Sequence, residues 1–548
     1  MNRVYHVAKA DFLQRIRTRR LVIVLLIVAY LGYLVNVGQI EIAYQIQDGD
    51  SITNVAGEST SAFIGLKAGL TGATVMLFAG FYLMKGALKR DHAHNVNRLV
   101  ASTAISDRRY LLGKWVSNIG LGVVILSTLA VATIVNHAVH GAGPTQPLAL
   151  VGPILVLALP LTGLIAALAL LFETVNRLRG TLGNIGYFFL ASVALSAIMA
   201  AEGQSPNAIP LGTRALDIMG QLAVYAVTAD AVVAAVPEAA GELPSFGTLS
   251  GDEQTFRYDG GPWPLWIFAQ RAGLLVPAAG LLFVAAWCFN GSGSEFTAQK
   301  DRWLTRIPSV VPRLRRERPR EEPSVGDSID SVTLTPVEKR DTASFWRLVT
   351  AEVRLAIRGR RWWWYAGALG LIVVPLVRVA GSSPGASVEL ARGLLLPVAF
   401  IWPIFIWSEI GTRTAEHRVT DLILSSRYPV MQLVSAWVAG CVVAVAVSSG
   451  LIIVFTTTGQ FELLLGIASG VLFGPSLAAA LGMWSRSTWL FEMTYLLLWY
   501  TGPLNRSVPV DFLGTTVQSL ETGVPLAFIG MSVVLVALAL VRRKLEIR

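Results

Sequence analysis

Apolar runs of membrane-crossing length alternate with polar connections from one end of this chain to the other, and that alternation constrains the fold more than any motif does. A run of about 18 or more apolar residues crosses the ~30 Å hydrocarbon layer as one helix. Such windows fall near 21–38, 62–84, 115–137, 148–172, 183–201, 264–289, 362–380, 391–409, 432–456, 461–484, 489–502 and 523–541. Composition agrees, since 53% of the 548 residues are hydrophobic and only 15% charged, where a soluble domain carries roughly 25% charge. Backbone N–H and C=O groups find no water in hydrocarbon, so each window must satisfy its own hydrogen bonds as a helix. The expected fold is an all-α polytopic membrane protein with about twelve transmembrane helices.

Charge in the connections sets the orientation. The 39–61 loop holds Glu41, Asp48, Asp50 and Glu58 without a Lys or Arg, whereas 85–114 holds Lys85, Lys89, Arg90, Arg98, Arg108, Arg109 and Lys114. Segment 202–263 is again acidic, 290–361 is dense in Arg, and the chain ends in Arg542, Arg543 and Lys544. Basic loops stay on the cytoplasmic side, so both termini are expected there, in the plasma membrane of a prokaryote. The net charge of +10 thus reflects orientation and implies no nucleic-acid partner. Residues 211–236 are apolar enough for helices over the outer mouth, followed by the polar return "GDEQTFRYDGGPWP". The Pro-, Ser- and charge-rich stretch 290–343 reads as a cytoplasmic linker.

The N-terminal "ADFLQRIRTRR" (10–20) returns as "AEVRLAIRGRR" (351–361). Arg17, Arg19 and Arg20 recur as Arg358, Arg360 and Arg361, and Asp11 faces Glu352. Upstream, Val4, Ala8, Phe12 and Ile16 are matched by Phe345, Val349, Val353 and Ile357, a four-residue step that marks one helix face. A cleavable signal has no reason to recur in mid-chain, so the reading is an amphipathic helix at the cytoplasmic interface, its stripe among acyl chains and its arginines at the headgroups. Entry helices are expected at 4–18 and 344–361. A second echo joins "RLVASTAISDRRYLLGKW" (98–115) to "DLILSSRYPVMQLVSAW" (421–437). The expected architecture is two parallel six-helix repeats, 1–289 and 344–548, each preceded by its connecting helix.

Enzymatic signatures are missing. The chain has no G-x-x-x-x-G-K-[ST] loop, no H-E-x-x-H and no C-x-x-C. Cys288 and Cys441 lie in separate apolar runs, and His92 and His94 are two residues apart, which places them on different helix faces. No metal site and no catalytic residue is assigned. Within the spans, Glu492 is the carboxylate to watch, while Arg271 lies near the outer end of the sixth span, where it can snorkel.

The cytoplasmic run "DHAHNVNRLVASTAISDRRYLLGK" (91–114) resembles the loop between spans two and three in permeases of type-2 ABC exporters. Asp91 stands at the family's acid, Thr103 at its Thr, Ile105-Ser106 at Ile-Ser, and Tyr110 to Lys114 at its Y-L-L-G-K ending, while Ala104 replaces Pro. In the second half "AEHRVTDLILSSRYP" keeps Glu416, Leu422 and Ser425-Ser426 but not the ending. The resemblance implies a transmembrane permease that forms the substrate pathway between its halves. Two copies of a separate ABC ATPase would power it and bind ATP and Mg, with no cofactor on this chain. It makes Asp91, Arg98, Asp107, Arg108, Arg109, Lys114, Glu416, Arg418, Asp421 and Arg427 candidates for ATPase docking. Arg17, Arg19, Arg20, Arg358, Arg360 and Arg361 are candidate anchors to membrane lipid. Rival readings are an ion-coupled transporter of major-facilitator type, whose Gly-x-x-x-Asp-Arg turn is absent here, and a non-transporting membrane scaffold.

Overall fold

The computed structural model describes the chain except for residues 1, 49–50, 94–95, 97–102, 104, 248–251, 290–344, 359, 382–387, 418, 427 and 548. The expected linker 290–343 lies outside the described residues, as do Arg98, Arg418 and Arg427. In chain order the main elements are α1 (Asn2–Ile16), α2 (Arg19–Asn36), β1 (Glu41–Asp48), β2 (Ser51–Gly57), α3 (Ser61–Asp91), α4 (Asp107–His140), α5 (Pro147–Thr174), α6 (Thr181–Ala201), α7 (Gln221–Ala235), β3 (Pro244–Gly247), β4 (Asp252–Phe256) and α8 (Leu265–Cys288). There follow α9 (Phe345–Ile357), α10 (Trp362–Gly381), α11 (Val388–Trp407), α12 (Pro429–Thr457), α13 (Phe461–Ser485), α14 (Thr488–Trp499) and α15 (Val524–Ile547).

Among the described residues nine of these helices are long and apolar enough to cross a membrane: α3 to α6, α8, α11 to α13 and α15. The pair α1 and α2, bent by 77° at its break, makes ten if counted as one span. The chain is a multi-pass, largely helical membrane protein. Of the remaining windows, α10 is a shorter apolar helix, and α14 runs into a π-turn at Tyr500–Leu504 that contains Pro503. Proline removes a helical donor and clashes with the preceding turn, which explains why α14 stops short.

Contacts group the chain into two units, Met1–Gly291 with Ser485–Asp511, and Ser292–Trp484 with Phe512–Arg548. In the first, α1 and α2 pack along α4, and α3 packs on α5. Lipid is as apolar as leucine, so helix association in a membrane rests on close packing and polar ties rather than on hydrophobic burial. Gly65 brings α3 against α5: a Cβ there would run into the Ala149 carbonyl oxygen, so only glycine lets these backbones meet. The outer face of α8 and much of α2 carry exposed Val, Leu, Ile and Trp, the surface that lipid requires.

At one end of this unit stands a four-stranded sheet in the order β3-β1-β2-β4, which an all-helical expectation omits. Strands β1 and β2 pair antiparallel, with Ala43 opposite Ala56 and Gln45 opposite Asn54; β3 adds antiparallel to β1, and β4 adds parallel to β2. The polar "return" therefore forms β4 rather than a bare loop. Ile42 and Tyr44 are fully buried beneath the sheet, and the Tyr44 hydroxyl pairs with Thr228 of α7 at 2.6 Å. Burial pushes that phenol well above its ordinary range, so it remains a neutral hydrogen-bonding group.

In the second unit, α9 and α10 pack against α12. Ala356, Trp364, Ile406, Val443 and Val447 form its core, with Trp363, Trp402 and Phe405 around them. Gly466 on α13 repeats the Gly65 device, since a Cβ there would strike the Leu513 carbonyl oxygen.

Candidate functional site

The sheet marks one end of the first unit, and a buried ionic cluster built on α1 marks the other. Asp11, its side chain 1% exposed, meets Arg15 Nε at 2.9 Å and Lys114 Nζ at 2.8 Å. It also accepts from the Ser117 hydroxyl at 2.6 Å. Lys114 reaches on to Asp91 at 2.7 Å, and Asp91 accepts from the Tyr110 hydroxyl. Arg15 Nη1 donates to Asn118 Oδ1 at 2.6 Å. One carboxylate thus ties α1 to the first turns of α4 and, through Lys114, to the end of α3. Charges held this way, in a medium of low dielectric, interact far more strongly than at a surface, and each is costly if stranded. Next to the cluster, Glu173 at the end of α5 accepts from the backbone N–H groups of Gly86, Ala87 and Leu88, capping the last helical stretch of α3 with a remote anion. Gly86 sits at φ +95, a turn that permits this re-entry.

Most of the α1 stripe is turned toward α4. Val4, Ala8 and Phe12 lie on the inner half of the helix with Asp11 and Arg15, and α4 meets them through glycines: a Cβ on Gly113 would collide with Val7 at 2.8 Å. Ile16 points outward, whereas Arg15, a charged residue beside the stripe, is buried. The physical reason is that α4 offers Lys114, Ser117 and Asn118 at helical spacing, which turns the polar positions of α1 inward.

The second unit has its own cluster on α9. Glu352 Oε2 pairs with Arg413 at 3.0 Å, and its Oε1 accepts from Gln432 of α12 at 2.9 Å. Arg413 also meets Glu409 at 3.2 Å, and Glu409 meets Arg360 at 2.8 Å. Again an acid on the short helix is tied to the start of a long one and to the segment that follows its predecessor.

A third group lies among the spans of the first unit. Glu492 of α14 is fully buried and accepts from the Asn184 amide of α6; Asn184 Oδ1 in turn accepts from Lys85 Nζ. Tyr82 donates to the Asn184 carbonyl at 2.9 Å, and Lys85 also donates to the Leu178 carbonyl at 3.2 Å. Asn184 therefore bridges a cation and an anion through its side-chain amide.

The remaining sites sort by exposure. Asp91 and Lys114 are buried in the α1 cluster, so these two docking candidates do not face outward. Asp107, Arg108, Arg109, Glu416 and Asp421 are exposed, with Arg108 lying 5.4 Å from the centre of the Phe283 ring. Among the anchors Arg17, Arg358 and Arg361 are exposed, Arg360 is half-buried against Glu409, and the side chains of Arg19 and Arg20 are outside the described set. Arg271 does not snorkel: it is 2% exposed and donates to the carbonyls of Asp217 and Ile218, while the Asp217 carboxylate caps the turn before α7. The chain matches no family model, no curated protein and no solved structure.

Proposed function

We propose that this chain is the permease of an ATP-driven exporter of the type-2 ABC class. Two six-span halves would enclose the substrate path, with the α1 end in the cytoplasm and two copies of a separate ATPase below it. The observation that carries this reading is the pair of buried acids, Asp11 and Glu352, at matched positions in the repeated sequence, each fastening a short amphipathic helix to a long span. A partner that pushes on such a helix moves the span with it, because each tie is short and buried, an ion pair from Asp11 to Lys114 and a carboxylate–amide hydrogen bond from Glu352 to Gln432. The exposed Asp107, Arg108 and Arg109 sit at the head of α4, next to that tie, where an ATPase surface would meet them. The absence of a phosphate-cradling loop from the sequence is consistent with ATP hydrolysis on another chain.

Gentle detergent purification of the tagged chain, followed by mass spectrometry, tests this. Recovery of a P-loop ATPase at about two copies per permease supports it; a chain that comes alone, and binds no co-expressed ATPase, rejects it. The second reading, ion-coupled transport, draws on the buried Lys85–Asn184–Glu492 group, since intramembrane charges mark ion pathways. Proteoliposomes separate the two: uptake driven by a pH gradient without ATP, and abolished by Glu492→Gln, would favour it.

A further inference from the structure

We infer that the second unit binds a singly charged anion against Arg543. Arg543 lies near the end of α15 with its side chain 1% exposed. Its Nη2 donates to Gln432 Oε1 at 3.3 Å, but Nε and Nη1 are buried and donate no hydrogen bond among the described residues. Glu546, 4.0 Å from Nη1, is too distant to accept one. A guanidinium carries five N–H donors and never loses its proton, so burial with idle donors is a standing cost.

Arg543 borders a cavity of about 30 Å³, whose wall also includes Glu352, Glu409, Arg413, Thr414 and Gln432. A single water needs roughly 10–15 Å³ measured this way, so the space suits one ion of halide size or the oxygens of one phosphodiester. Both cavity glutamates are already engaged: Glu352 by Arg413 and Gln432, Glu409 by Arg413 and Arg360. Among the described residues the ion pairs of this network set four arginines (Arg360, Arg413, Arg542, Arg543) against three glutamates (Glu352, Glu409, Glu546), one positive charge in excess. One monoanion both neutralises the network and supplies the missing acceptor. Its source is either a free inorganic anion or the phosphate of an anionic lipid at the helix ends. Either would join α15 to the α9–α12 tie.

The test is thermal unfolding of the full-length chain in uncharged detergent, in sodium gluconate, with chloride or phosphatidylglycerol added at constant ionic strength. A saturable rise in melting temperature with chloride identifies a free anion, and a rise with phosphatidylglycerol but not chloride identifies a lipid phosphate. Arg543→Lys keeps the charge but loses the planar fork, and raises the half-saturating concentration about tenfold. Lys544→Gln, as a control, leaves it unchanged. Wild-type curves that coincide in gluconate, chloride and phosphatidylglycerol mean that only water fills the cavity, and overturn the inference. So does a rise that Arg543→Lys leaves untouched.

Discussion

Replacing Asp11 by Asn keeps the shape of the side chain and removes only its charge. In the native protein that carboxylate faces Arg15 at 2.9 Å and Lys114 at 2.8 Å, and is 1% exposed. Stranding a buried partner costs about 3–5 kcal/mol. Here Lys114 keeps Asp91 at 2.7 Å, and Arg15 keeps the Asn118 oxygen, so the lower figure of about 3 kcal/mol applies. With an unfolding entropy of roughly 2 cal/mol/K per residue, spread over the roughly 300 residues of the first unit, the midpoint falls by about 5 °C. The assay is the fraction of monodisperse protein surviving a heat ramp in detergent, measured for wild type, Asp11→Asn, Lys114→Met and the double variant. If the pair acts as drawn, the double variant loses less than the two single losses added together, by about 1–3 kcal/mol. A midpoint within about 1 °C of wild type, or losses that add within about 0.5 kcal/mol, would refute the idea that this ion pair fastens α1 to α4.

Three other outcomes follow from the same geometry. Asn184→Leu removes one hydrogen-bond partner from each of Lys85 and Glu492 and should destabilise by about 1–3 kcal/mol; the same heat ramp reads it, and an unchanged midpoint removes Asn184 as a relay. Gly65→Ala drives a methyl group against the Ala149 carbonyl and should cost about 1–3 kcal/mol, whereas Gly152→Ala, with nothing within 4 Å, should be neutral; equal yields of folded protein from both would contradict the close approach of α3 and α5. Reversing Arg108 and Arg109 to Glu should leave the midpoint within about 0.5 kcal/mol of wild type, because both side chains are exposed. It should weaken co-purification of the ATPase at least several-fold, and undiminished recovery would remove the head of α4 from the docking surface.

Much of the helical framework was legible because hydrocarbon imposes a length rule: each expected window is helical, and most ends drift by a few residues, though Asp107–His140 begins eight residues before its window and Val524–Ile547 runs six beyond its own. The small sheet was missed although its signal is present. In "EIAYQIQDGDSITNVAG" Ile42, Tyr44 and Ile46 recur every second residue, and a β-branched run with Ile52, Thr53 and Val55 follows Gly49-Asp50, the mark of a hairpin. Counting that segment only for its acids hid the alternation. Its partners β3 and β4 lie some 200 residues on, and no local pattern announces a pairing at that distance.

The α1 cluster shows a subtler limit. Repetition identified Asp11 and Glu352 as equivalent positions, and both prove to be buried acids. Repetition did not supply their direction, and a helix wheel does not either, because it treats every polar residue as facing water. In a membrane protein the rule weakens: packing apolar groups against lipid or against another helix is nearly equivalent, so the polar ties decide which face turns inward. Asp11 and Arg15, one turn apart, find Lys114, Ser117 and Asn118, also about one turn apart, and the stripe beside them is carried inward too. The same logic applies to Arg271, which turns to the Asp217 and Ile218 carbonyls instead of reaching for the interface. A charged residue near the end of a span is therefore better read by the acceptors that its neighbouring helices present than by its distance from water.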